Sequence, residues 1–98
     1  MNTPQGALDF LVTYINKNGA IYRNWYAGIA SDPKQRLFTD RTVNEAGGLW
    51  AYDFVANHTQ ARQVEDALFK LGCAGGPGGG DTQTTAIYVY LITDSTTE

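Results

Sequence analysis

The stretch "WYAGIASDPKQRLF", residues 25–38, carries two kinds of structure in fourteen positions. Its first half is aromatic and aliphatic, and with the preceding "AIYRN" it reads as one strand over residues 20–30. Its second half opens a helix. Ser31 or Asp32 can cap it, and Pro33 stands at the first helical position, where a missing N–H costs nothing and the fixed φ already suits a helix. The helix is expected to run through Leu37 to about Asp40. A strand passing directly into a capped helix is the repeating unit of a layered α/β chain.

Reading outward from it, residues 3–18 form a helix, with Thr3 as cap, Pro4 at its first position and Gly19 able to take a left-handed stop. Ala7, Leu8, Leu11, Val12 and Ile15 form its apolar stripe. Residues 41–48 are loop. "LWAYDFVA", residues 49–56, is a second strand with Trp50, Tyr52 and Phe54 on one face. A third helix opens at Asn57, with Gln60 placed for a capping box, and buries Ala61, Val64, Leu68 and Leu71 before Gly72 ends it. "TAIYVYLIT", residues 85–93, is the strongest strand, and the polar residues after it are expected to fray. The expected fold is α+β within the broad α/β class. It is a single domain, residues 1–98, with three strands covered by helices in the order α-β-α-β-α-β. Strand order and direction stay open, and the connections are long enough to permit parallel pairs.

Composition narrows the function. At 43% hydrophobic and 17% charged residues the chain can build one small core. The net charge of −3 weighs against a general nucleic-acid binder, although Lys34, Arg36 and Arg41 gather three of the seven basic residues into eight positions. The lone Cys73 fits an inert residue at a helix end and a reduced, cytoplasmic compartment. With one His and one Cys, neither a structural zinc site nor a Ser-His-Asp triad has the residues it needs. No apolar run approaches the roughly 20 residues that span a bilayer. "GGPGGGD", residues 75–81, looks at first like a phosphate cradle. A phosphate loop joins a strand to a helix N-terminus, whereas these glycines follow a helix and lead into a strand. They are expected to form a close turn that returns the chain to the sheet.

Tyr26-x-Gly28 at a strand end, followed by a capped helix bearing Arg36, resembles the second half of the GIY-YIG nuclease motif. A later helix with Glu65 in "ARQVEDAL" matches the position of that family's glutamate. "GGPGGGDTQTTAIYVY" is similar to the ends of small phage and bacterial proteins. The resemblance spans about residues 20–92. It implies metal-dependent phosphodiester hydrolysis: Tyr26 orienting or deprotonating water, Arg36 neutralising the transition state and Glu65 holding Mg²⁺. Lys34 and Arg41 would then face nucleic acid. The family's first tyrosine strand is missing, because Tyr22 and Tyr26 would share one strand. A circular permutation would let residues 86–92 replace it, with Tyr88 beside Tyr26. Asp40 stands where the family has His or Tyr.

Plainer roles are open for each residue. Arg36 can pair with Asp32, Glu65 can sit on a solvated flank beside Arg62 or Lys70, and Tyr26 can be an ordinary sheet residue. His58, in the first turn of its helix, fits a capping or exposed role. A second function class is a non-catalytic domain that binds protein or forms homodimers through a sheet edge or the Trp50-Tyr52-Phe54 face.

Overall fold

The computed structural model describes residues 1–76 and 83–98. Helix α1 spans Pro4–Lys17, strand β1 Trp25–Ala30, a one-turn helix α2 Pro33–Gln35, strand β2 Trp50–Phe54, helix α3 His58–Leu71 and strand β3 Ala86–Leu91. The sheet order is β1-β3-β2, and β3 runs antiparallel to both neighbours. The parallel pairing that the connection lengths permitted is therefore not used between neighbours. The last strand enters the middle of the sheet from the opposite direction.

Local chemistry explains most boundaries. Thr3 Oγ1 accepts the Gly6 N–H at 3.0 Å and starts α1. Asp32 Oδ1 accepts the Gln35 N–H at 3.1 Å and starts α2. Asn57 Oδ1 accepts the Gln60 N–H at 2.9 Å, and Gln60 Oε1 reaches back to the N–H of Ala56 rather than that of Asn57. Gly72, at φ 115°, ends α3 in the left-handed region and donates its N–H back to Phe69.

Two boundaries differ from the sequence reading. Strand β1 begins at Trp25, not Ala20. Gly19 and Ala20 both take positive φ, and Tyr22–Asn24 form a 3₁₀ turn that brings the chain round from α1. Tyr22 is therefore off the strand, and its hydroxyl donates to Asn16 Oδ1 at 2.7 Å. After Gln35 the helix widens into a π turn over Arg36–Asp40, closed by the Arg41 N–H donating to Arg36 O at 2.9 Å. Leu71, expected in the core, is 46% exposed at the C-terminal end of α3.

The strands divide their side chains between two layers. On one face Trp25, Ala27, Ile29, Ala51, Ile87 and Val89 pack against Ala7, Leu11 and Ile15 of α1 and Ala61, Val64 and Leu68 of α3. On the other face Tyr26, Tyr88 and Tyr90 are covered by Leu37, Val43 and Phe38 from the segment after β1. Ala74 lies beside β1 as a parallel bridge: its N–H donates to Trp25 O and its carbonyl accepts from Ala27 N–H, both at 2.8 Å. Ala74 and Gly75 thus leave α3 along the β1 edge. A side chain at Gly75 would fall 2.5 Å from Cζ of Phe69 and 2.8 Å from Ala27 O, so this approach needs glycine. The turn expected across residues 77–82 lies outside the described residues.

Candidate functional site

β1 and β3 pair with Tyr26 opposite Tyr90 and Gly28 opposite Tyr88. Alternation places all three phenols on the face away from α1 and α3. Tyr26 stacks with Tyr90 at 5.2 Å and with Tyr88 at 6.4 Å between ring centroids. Gly28 makes room for this: a Cβ there would lie 2.5 Å from Cζ of Tyr88, whose side chain is 0% exposed.

Arg41 closes the cluster. Its guanidinium carbon lies 4.8 Å from the centroid of the Tyr26 ring, within cation–π range. Its Nε points at the Tyr88 hydroxyl at 3.4 Å, and its Nη1 donates to the main-chain oxygen of Glu98 at 3.0 Å. Burial works against the guanidinium's charge, but the Tyr88 hydroxyl and the surrounding phenols outweigh it and hold its pKa above the ordinary value. Burial likewise pushes Tyr88 and Tyr90 up, with Arg41 pulling the other way. Both phenols therefore stay protonated at neutral pH, which makes them hydrogen-bonding and stacking groups rather than bases. The Tyr26 hydroxyl accepts the Gly76 N–H at 3.2 Å.

The remaining candidates divide. Arg36 stands near enough for its charge to act on Tyr88. Its Nε pairs with Asp40 at 3.1 Å, not with Asp32, whose carboxylate caps α2. The π turn brings Asp40 to that position, and a hollow of about 110 Å³ lined by Ala30, Ser31, Asp32, Gln35, Arg36 and Asp40 lies beside the pair. Lys34 is exposed on α2. Glu65 belongs to the other layer. It is carried by α3 and is 3% exposed, not a solvated flank. Burial raises it to about 7, eased by Arg62 and reinforced by Asp66. The charges acting on Glu65 come from its own helix, while those acting on Tyr88 come from Arg41, Tyr26 and Arg36.

A hydrated Mg²⁺ needs an open carboxylate with room for its remaining waters. Glu65, a single enclosed carboxylate, does not offer that as packed, and no group of three metal-ligating side chains gathers among the described residues. His58 Nε2 accepts from Arg62 Nε at 3.2 Å and is occupied on α3.

Sequence reasoning passed over Tyr90, although the alternation of "IYVY" already places it with Tyr88. It also took Arg41 only as a charge. Its seat over Tyr26 arises from a fold-back that no spacing rule reveals.

The Trp50-Tyr52-Phe54 row also lies on the face free of α1 and α3. Trp50 and Tyr52 stack at 6.1 Å, Phe38 meets Trp50 edge-on at 4.9 Å, and Phe54 is 39% exposed. No helix among the described residues is long and apolar enough to cross a membrane. No family model matches the chain, and comparisons with curated proteins and with solved structures found no match.

Proposed function

We propose that the chain is a GIY-YIG-like domain in permuted order that binds a phosphodiester at its arginine–tyrosine face without a complete hydrolytic set. The observation that carries this reading is the pairing of β1 with β3. It sets Tyr26 and Tyr88 on one face, with Arg41 against both and Arg36 close by. Guanidinium groups braced by phenols are suited to a phosphate oxygen, since the ring faces support the cation and the hydroxyls fix its direction. Three features argue that binding is not followed by cleavage. The Tyr88 and Tyr90 phenols stay protonated, Arg36 is paired with Asp40, and Glu65 lies in the opposite layer.

The test is binding of a fluorescein-labelled single-stranded oligonucleotide across a salt series, beside a Mg²⁺-dependent nicking assay on plasmid and branched DNA. Arg41→Ala is expected to weaken binding about tenfold and to lower the salt slope by about 0.7. Nicking is expected to equal that of Arg36→Ala. Affinity unchanged in Arg41→Ala rejects the site, and nicking that Arg36→Ala abolishes restores full phosphodiester hydrolysis.

A second reading, a non-catalytic protein-binding domain, is favoured by the aromatic row of β2 on the face free of α1 and α3. Trp50→Ala would then abolish partner binding and leave oligonucleotide affinity unchanged.

A further inference from the structure

Residues 93–98 fold into a small polar turn, in which the Thr93 N–H donates to Thr96 Oγ1 at 3.1 Å and the Thr96 N–H to Thr93 O at 3.2 Å. The turn is fastened to Arg41 and Thr42, and more loosely to the Tyr90 hydroxyl, which donates to Thr97 O at 3.5 Å. The Thr97 N–H donates to Arg41 O at 2.7 Å, and Thr42 Oγ1 donates to Ser95 O at 2.6 Å and meets Thr97 Oγ1 at 3.1 Å. Arg41 Nη1 donates to the Glu98 oxygen at 3.0 Å. Thr42 sits at φ 54°, a costly backbone conformation for a β-branched residue that persists only where its surroundings hold it.

We propose that residues 93–98 are a strap over the arginine–tyrosine site, displaced when a phosphodiester takes the place of the Glu98 oxygen on Arg41. This rests on the phosphodiester reading above. The fastenings are hydrogen bonds between mostly exposed polar groups, so water competes for each of them and opening is inexpensive. Opening also frees Thr42 to leave its left-handed conformation, which offsets part of the lost bonding. What opening uncovers is an oriented cation: the Nη1 direction now filled by a main-chain oxygen is the one a phosphate oxygen would fill.

Two variants test this. Thr97→Pro removes the N–H that holds Arg41 O. Thr42→Val removes the hydroxyl and keeps the β-branched strain at the positive φ, and thermal melting verifies that the fold stays intact. Two readouts are taken: the rate at which phenylglyoxal modifies Arg41, located by mass mapping, and affinity for the labelled oligonucleotide. Both variants are expected to raise the modification rate and the affinity about fivefold, and Arg41→Ala added to either should erase the gain in affinity. Unchanged modification rates in both folded variants overturn the strap. Faster modification with unchanged oligonucleotide affinity upholds the strap but overturns the phosphodiester as its displacing ligand, and with it the reading of the site.

Discussion

Glu65 stands beside Val64 and Leu68 on the buried side of α3, and among the described residues no buried side-chain polar atom lacks a hydrogen-bond partner. Its carboxyl is nevertheless raised from 4.5 to about 7, because enclosure disfavours the charged form more than Arg62 restores it. The direction of the pH effect follows. Between pH 4.5 and 7 the folded protein keeps a proton that the unfolded chain has released, so stability falls as pH rises through that window and stays low above it. Glu65→Gln should therefore stabilise the protein at pH 8 by on the order of 2 kcal/mol and by less at pH 5.5. Urea midpoints at the two pH values check this, and a difference that does not change with pH would contradict it. From its spacing Glu65 was readable only as a flank position. Burial of a flank residue depends on what packs beyond the helix, which the helix's own sequence does not encode.

Among the elements, β2 is the strand whose outer edge offers itself for pairing. The outward Trp50 N–H donates to the Tyr14 hydroxyl at 3.1 Å, and the outward Phe54 carbonyl accepts the Asn2 N–H at 2.7 Å. Helix α1 and its lead-in thus occupy both ends of the edge that homodimerisation through the sheet would need. At the other side Ala74 bridges β1. Tyr14→Phe keeps the ring's edge-on contact with Trp25 at 5.8 Å and removes only the acceptor. It should cost about 1 kcal/mol in a urea melt and raise the dimer fraction in sedimentation, because it reopens part of the edge. An unchanged dimer fraction would argue that the hydroxyl is no guard. The caps Thr3, Asp32 and Asn57 and the stop Gly72 were legible because capping acts over three or four residues. The 3₁₀ turn at Tyr22–Asn24 was not, since "AIYRN" has strand composition and only the path from α1 bends it.

For the molecule as a whole, β3 is the keystone. β1 and β2 are not paired with each other; each pairs only with β3. Until Ala86–Leu91 arrives, Trp25, Ala27, Ile29 and Ala51 lack the central strand beside them, and the tyrosine face lacks Tyr88 and Tyr90. A chain ending at residue 85 should therefore fail to fold cooperatively and give no dispersed amide spectrum, whereas helix α1 could persist weakly. A dispersed spectrum from the truncated chain would disprove this order of dependence.

Among the described residues, the identity and order of three helices and three strands, and their caps, were properties of the sequence alone. Each rests on short-range periodicity or on which element precedes which. Strand direction, the central place of β3, the split of Glu65 from Tyr26 and Tyr88, and the seat of Arg41 were decided only by tertiary structure. Pairing partners 60 residues apart, such as Gly28 and Tyr88, are chosen by how two layers fill with side chains, and local pattern carries no information about that choice.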